Sequence, residues 1–122
     1  MNLLDTDIII ELLQKRKHET GAISIIALIE LLRGLEDTRK RSKAKELLEK
    51  SFNIENLDNK TIETYCNIYQ NLKKQGETLP DADLLIAATA IAHNLTLKTR
   101  DQHFQRLTKN GLKLTPPHKN ER

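Results

Sequence analysis

The stretch LPDADLLIAATA, residues 79–90, decides how the rest of the chain is read. It sets Asp81 and Asp83 directly in front of an apolar run, and nothing local neutralises them. From Ala82 to His93 the apolar residues run nearly all round a helical wheel, which predicts a central helix whose small alanines admit close neighbours. Pro80 fits just ahead of this helix, and Asn94 suits a left-handed cap at its end. A carboxylate in the first turn of a helix is favoured by the helix dipole, by about 0.3–1 kcal/mol. That effect accounts for one acid comfortably and for several converging acids poorly.

Upstream of this helix the pattern alternates. A short strand at 2–5 carries Leu3 and Leu4 into Asp5, and Asp7 to Lys15 has helical spacing through Ile8, Ile9, Leu12 and Leu13. Residues 21–24 (GAIS) form a short strand, after which Ser24 caps an apolar helix over 25–35. Thr38 to Ser51 is an amphipathic helix with Ala44, Leu47 and Leu48 on a charged surface, and 52–57 returns to a strand. A helix from Asp58 to Gln75, capped by Asp58 or Asn59, places Ile62, Tyr65, Cys66, Tyr69 and Leu72 on one stripe, so Cys66 is expected in the core. Gly76 ends it.

Downstream, LTLKT (95–99) and GLKLT (111–115) alternate as strands before Pro116 and Pro117 stop the pattern. Residues 1–117 are therefore read as a single α/β domain: a mostly parallel sheet of about five short strands, with helices on both faces. Residues 118–122 (HKNER) are read as a disordered basic tail.

Composition narrows the function classes. No apolar stretch reaches the roughly 18–20 residues of a membrane span, and the acid-containing N-terminus does not read as a secretory signal, so the mature protein is expected to begin here. The single cysteine allows no internal disulfide, and the chain lacks zinc-type Cys/His spacing; a reducing cytoplasm fits. The net charge of +3 is unevenly spread, with Arg39, Lys40, Arg41, Lys43 and Lys45 clustered together. That cluster is either a solvated helix face or a polyanion contact.

The acids carry the sharper message. Asp5 falls at the end of the first strand and Asp101 just past the strand at 95–99, so topology sends both to the same sheet edge, where ligands of parallel sheets bind. Asp83 begins a helix that packs on that sheet. Glu30 interrupts an apolar helix and needs a partner, either Arg33 three residues on or a divalent cation. Together, Asp5, Glu30, Asp83 and Asp101, with Asp7 and Asp81 at the rim, form a carboxylate cluster that repels itself without metal. Oxygen-only ligation selects Mg²⁺ or Mn²⁺, one or two ions, and such sites serve phosphodiester cleavage.

From LLDTDIIIELL through ISIIALIELLRG to DADLLIAATAIAHNLTLKTRDQHF, the ordered set resembles the PIN-domain ribonucleases, and among them the VapC-type toxins of toxin–antitoxin pairs. The resemblance implies a PIN-like fold with metal-ligating acids at Asp5, Glu30, Asp83 and Asp101. It suggests that Thr99 steadies either the metal-activated water or an acidic side chain. It implies RNA cleavage by in-line attack of that water, a cognate VapB-like antitoxin and a homodimer through the early helices. Arg33, Arg100, Arg39 and Arg41 are the candidate RNA contacts, and His103, beside Asp101, is a further candidate. With only Phe52, Phe104, Tyr65 and Tyr69 as aromatics, base stacking is not expected to govern recognition. Two readings compete: a catalytically silent RNA- or partner-binding module on the same fold, and a hydrolase of small phosphate esters.

Overall fold

The structure is a computed structural model that describes residues 1–116; Pro117 and the expected basic tail lie outside the described residues. Five strands form one sheet: β1 (Asn2–Leu4), β2 (Ala22–Ser24), β3 (Asn53–Glu55), β4 (Thr96–Lys98) and β5 (Lys113–Leu114). Their order is β3-β2-β1-β4-β5 and every pairing is parallel. The helices are α1 (Thr6–Gln14), α2 (Ile25–Arg33), α3 (Thr38–Ser51), α4 (Asn59–Lys74) and α5 (Asp81–Ala92), followed by a 3-10 helix at Gln102–Asn110.

The chain moves outward from β1 through β2 to β3, then crosses back to β4 on the other side of β1. Helix α4 packs on α5, and α2 touches α1, α3 and α5. The reversal occurs between β1 and β4, which align Leu3 with Leu97 and Leu4 with Lys98. A crevice opens beyond the carboxyl ends of strands at such a reversal.

The residues at 79–90 behave as their pattern requires. Leu84, Ile86, Ala87, Ala88, Thr89, Ala90 and Ala92 of α5 are all buried, and the helix lies against α4 along its length. Thr89 is tolerated inside because its hydroxyl donates to the Leu85 carbonyl at 2.8 Å. Asn94 takes the left-handed conformation at φ 55°. Ser24 caps α2, accepting from the Ala27 N–H at 3.0 Å, and Asp58 rather than Asn59 caps α4.

Two expectations are corrected. Cys66 is exposed, as are Ile62 and Tyr69, because α4 turns Thr61, Ile68 and Leu72 to the core. The expected stripe is therefore split: Leu72 is buried and Tyr65 packs against the core, while Ile62, Cys66 and Tyr69 face outward; the buried Thr61 keeps its hydroxyl satisfied by Asp58 at 2.7 Å, which lets a polar residue occupy the inner row. The 3-10 helix at 102–110 has no counterpart in the sequence reading. It buries only Phe104 and Leu107, too few positions to create a readable period.

Candidate active site

Asp5 follows the last residue of β1 and stays in register with the sheet, its N–H donating to the Lys98 carbonyl at 3.0 Å. It is the N-cap of α1, where Oδ1 accepts from the Thr6 N–H at 2.8 Å. Oδ2 accepts from the Thr99 hydroxyl at 2.6 Å. The same Thr99 oxygen accepts the Asp101 N–H at 3.0 Å, so one hydroxyl ties together the chain ends of the two central strands. This hydrogen bond connects Thr99 to an acidic side chain, one of the two contacts suggested for it.

Burial sets the electrostatics. Only 8% of Asp5 is exposed, and this desolvation pushes its pKa up to about 6, against the lowering effect of the Thr99 and Thr6 hydrogen bonds; Asp7 and Asp83 add to the rise. Asp83, in the first turn of α5, is also shifted upward, first by burial and then by the negative charges of Asp101 and Glu30, with His103 opposing. Asp83 thus feels the charges of Asp101 and Glu30, and Asp5 that of Asp83, which couples the four acids electrostatically. Among the described residues, no group of three or more His, Cys, Asp or Glu side chains is arranged so that it could hold a metal ion.

Glu30 is half-buried rather than deep in the core. Oε1 accepts from the Thr6 hydroxyl at 3.0 Å, and Arg33 stands at 3.9 Å from Oε2 with most of its side chain in solvent. Thr6 thus links the helix that Asp5 caps to the acid of α2. Sequence reasoning missed this residue, since a threonine after an aspartate carries no distinguishing signal.

The rim residues divide. Asp7 Oδ1 accepts from the Ile8 N–H at 2.8 Å, and Oδ2 accepts from the Arg100 N–H at 3.1 Å, clamping the loop that leads to Asp101. Asp81 is exposed and accepts from the Tyr65 hydroxyl at 2.7 Å; this bond pushes the phenol pKa up to about 12. Asp101 caps the 3-10 helix through the His103 N–H, and the His103 Nδ1 also lies 2.7 Å from its Oδ1.

Among the candidate RNA contacts, Arg100 pairs with Glu11 at 2.6 Å. Arg41 donates to the Leu35 carbonyl at 3.1 Å, holding the turn between α2 and α3, while Arg39 is exposed at the start of α3. Arg33 is paired with Glu30, one of the four acids.

Residues 3–110 match the PIN domain. The chain belongs to the PIN-domain family. Over 116 residues it is 40% identical to Ribonuclease VapC1 of Methanocaldococcus jannaschii, covering 92% of this chain and 85% of that protein. It is 38% identical to Ribonuclease VapC of Rickettsia bellii, covering 86% and 89%. Among solved structures it resembles VapBC-1 from nontypeable Haemophilus influenzae, with TM-score 0.80, 28% identity and coverage of 93% and 96%. VapBC2 from Rickettsia felis, bound to a DNA fragment from its promoter, gives TM-score 0.80, 26% identity and coverage of 96% and 98%. The fold expected from the sequence, a PIN domain with a central parallel sheet, is the fold found.

The donor set of this PIN domain suits a hard divalent cation. All four acids offer oxygen, and two of them, Asp5 and Asp83, are shifted toward protonation by burial first and by neighbouring charge second, the condition a bound cation relieves. Both oxygens of Asp5 already have N–H or O–H partners, which fix the carboxylate in one orientation.

Proposed function

We propose that this PIN domain is an endoribonuclease toxin of the VapC kind, which cleaves RNA phosphodiester bonds with the help of Mg²⁺ or Mn²⁺ and is silenced by a VapB-like antitoxin. The observation that carries the reading is the junction of Asp5, Thr99 and Asp101 at the crevice between β1 and β4, with the charges of Asp83 and Glu30 acting on the same pocket. Asp5, Glu30, Asp83 and Asp101 are the residues that would hold one or two ions. A divalent cation in such a site supplies an activated water and offsets charge developing on phosphoryl oxygens.

The chain's own residues do the rest. Thr99 keeps Asp5 Oδ2 oriented and, as a donor to it, favours its ionised form. Asp7 fixes the loop that carries Asp101, and His103 holds Asp101 from the other side. Arg33 and Arg100, with Arg39 and Arg41 further along, are the cations proposed to meet RNA phosphates, since an acidic pocket by itself repels the substrate. An antitoxin segment offering a basic side chain to the acids would quench the pocket. A homodimer, cytoplasmic residence and a single domain over residues 1–117 complete the proposal; the described residues hold no helix long and apolar enough to cross a membrane.

Cleavage of RNA with and without Mg²⁺ or Mn²⁺, repeated with Asp5→Asn and Asp83→Asn, tests the assignment. Activity that needs the metal and collapses in both variants is expected. Undiminished activity in both variants would overturn it.

A further inference from the structure

A cavity of about 370 Å³ is formed by the C-terminal end of α4, the turn at 75–80 and the first turn of α5. Its floor is apolar, from Leu72, Leu79 and Leu84, and Tyr69 forms one wall. Its size falls in the ~300–1,000 Å³ range of small-molecule sites. The cavity is preformed. Glu77 N–H donates to the Leu72 carbonyl at 2.9 Å, Gly76 holds the left-handed φ of 70° that the turn requires, and Arg106 reaches across to the Thr78 carbonyl at 3.2 Å.

The rim is unbalanced in charge. Lys73 lines the cavity, and Arg106 and Lys109 approach it through Glu77, at 3.9 and 3.5 Å, so the rim carries three cations to one carboxylate. Position adds a second argument. Leu84 directly follows Asp83, and Arg106 and Lys109 belong to the 3-10 helix that Asp101 caps, so the elements framing the cavity are those that carry two of the four acids. A second open cavity, lined by Tyr65, Tyr69 and Asp81, continues from Tyr69 to the start of α5. The two tyrosine rings stack at a centroid distance of 6.1 Å.

We propose that this apolar cavity receives one unpaired nucleobase of the RNA substrate, stacked on Tyr69, while Lys73, Arg106 and Lys109 meet the adjoining phosphates. The proposal rests on the ribonuclease reading and deepens it: the acids cut, and the tyrosine-walled cavity selects single-stranded RNA by admitting a base that is free to leave its neighbours. An aromatic wall accepts any base through its π-face, and apolar walls exclude a paired one. Base stacking therefore has a role that the low aromatic content of the sequence did not suggest.

The test uses a short single-stranded oligoribonucleotide carrying 2-aminopurine at successive positions, with EDTA present so that the strand stays intact, and in parallel the cleavage kinetics of the same strand with Mn²⁺. Quenching at one position is expected, lost in Tyr69→Ala and in Thr78→Trp, whose indole fills the cavity, and kept in Tyr69→Phe. In cleavage, Tyr69→Ala should raise KM about tenfold, within what removal of a stacking ring costs, with kcat little changed. Wild-type KM in Tyr69→Ala, or quenching that is absent, uniform along the strand or retained in Thr78→Trp, overturns the proposal. So does a Tyr69→Ala variant that weakens only the binding of an antitoxin peptide, which would make a protein segment the occupant. Single-position quenching in a protein that never cleaves RNA would instead count against the ribonuclease reading and leave the cavity's role standing.

Discussion

The hydroxyl of Thr99 donates to Asp5 Oδ2 at 2.6 Å and so joins two residues 94 positions apart across the carboxyl ends of the central strands. The bond fixes the carboxylate through a group that itself receives the Asp101 N–H, leaving the hydroxyl no freedom to rotate away.

Replacing Thr99 by Val keeps the shape and removes both hydrogen bonds. RNA cleavage should fall by about 10- to 100-fold, the usual cost of losing a partner that orients a metal-binding side chain, while Thr99→Ser should stay within a few-fold of the parent. Rates of the two variants at saturating Mn²⁺ separate the hydroxyl's contribution from that of the methyl group.

Acid should stabilise the metal-free protein through Asp5. Its carboxyl has a folded-state pKa of about 6 against an ordinary 3.8, so between those values the folded chain holds the proton more tightly than the unfolded chain does. The contribution is full below 3.8 and is lost as pH rises through 6, an effect on the order of 3 kcal/mol. Asp83, shifted in the same direction, steepens the trend. Urea unfolding of the parent and of Asp5→Asn in EDTA gives the readout: the parent should lose stability relative to the variant between pH 4 and 7. A gap between them that does not change with pH would mean that Asp5 ionises as an ordinary carboxyl.

Divalent cation should reverse that cost. Mn²⁺ at neutral pH is expected to raise the Tm by several degrees, with the increment shrinking below about pH 6 as protons compete for Asp5. Asp5→Asn and Asp83→Asn should lose most of the increment, and Asp81→Asn, whose carboxylate is engaged by Tyr65, should keep it. Thermal scans of the four proteins across pH give the comparison.

Core and outer faces should respond oppositely. Ala88 is fully buried in α5, and enlarging it to Leu should cost about 1–3 kcal/mol through overpacking, read as a lower Tm. Cys66→Ser, on the exposed side of α4, should change stability by no more than about 0.5 kcal/mol, and the parent thiol should react with a thiol reagent without unfolding.

The contrast between these two positions shows what the sequence could and could not disclose. Helix α5 was readable because its apolar residues run all round it, leaving no face to choose wrongly. Helix α4 is readable as a helix, yet of the stripe Ile62, Tyr65, Cys66, Tyr69 and Leu72 only Leu72 is buried and Tyr65 partly so, because pattern gives periodicity and tertiary contacts decide which row is covered. Asp5 and Asp101 could be placed at one sheet edge from strand order alone, whereas the tie between them depends on a threonine rotamer and on a crossover. Glu30 was recognised as out of place among apolar neighbours, but its hydroxyl partner on Thr6 was not, since nothing local pairs residues 24 apart.

Strand β1 lies in the middle of the sheet, and one of its two neighbours, β4, is made of residues from the far end of the domain. A polypeptide ending before Thr96 therefore leaves β1 with one flank bare, and lacks both Asp101 and the Thr99 hydroxyl that aligns Asp5. Such a fragment should show no RNA cleavage, so that the activity arises only once the C-terminal part of the domain has been made.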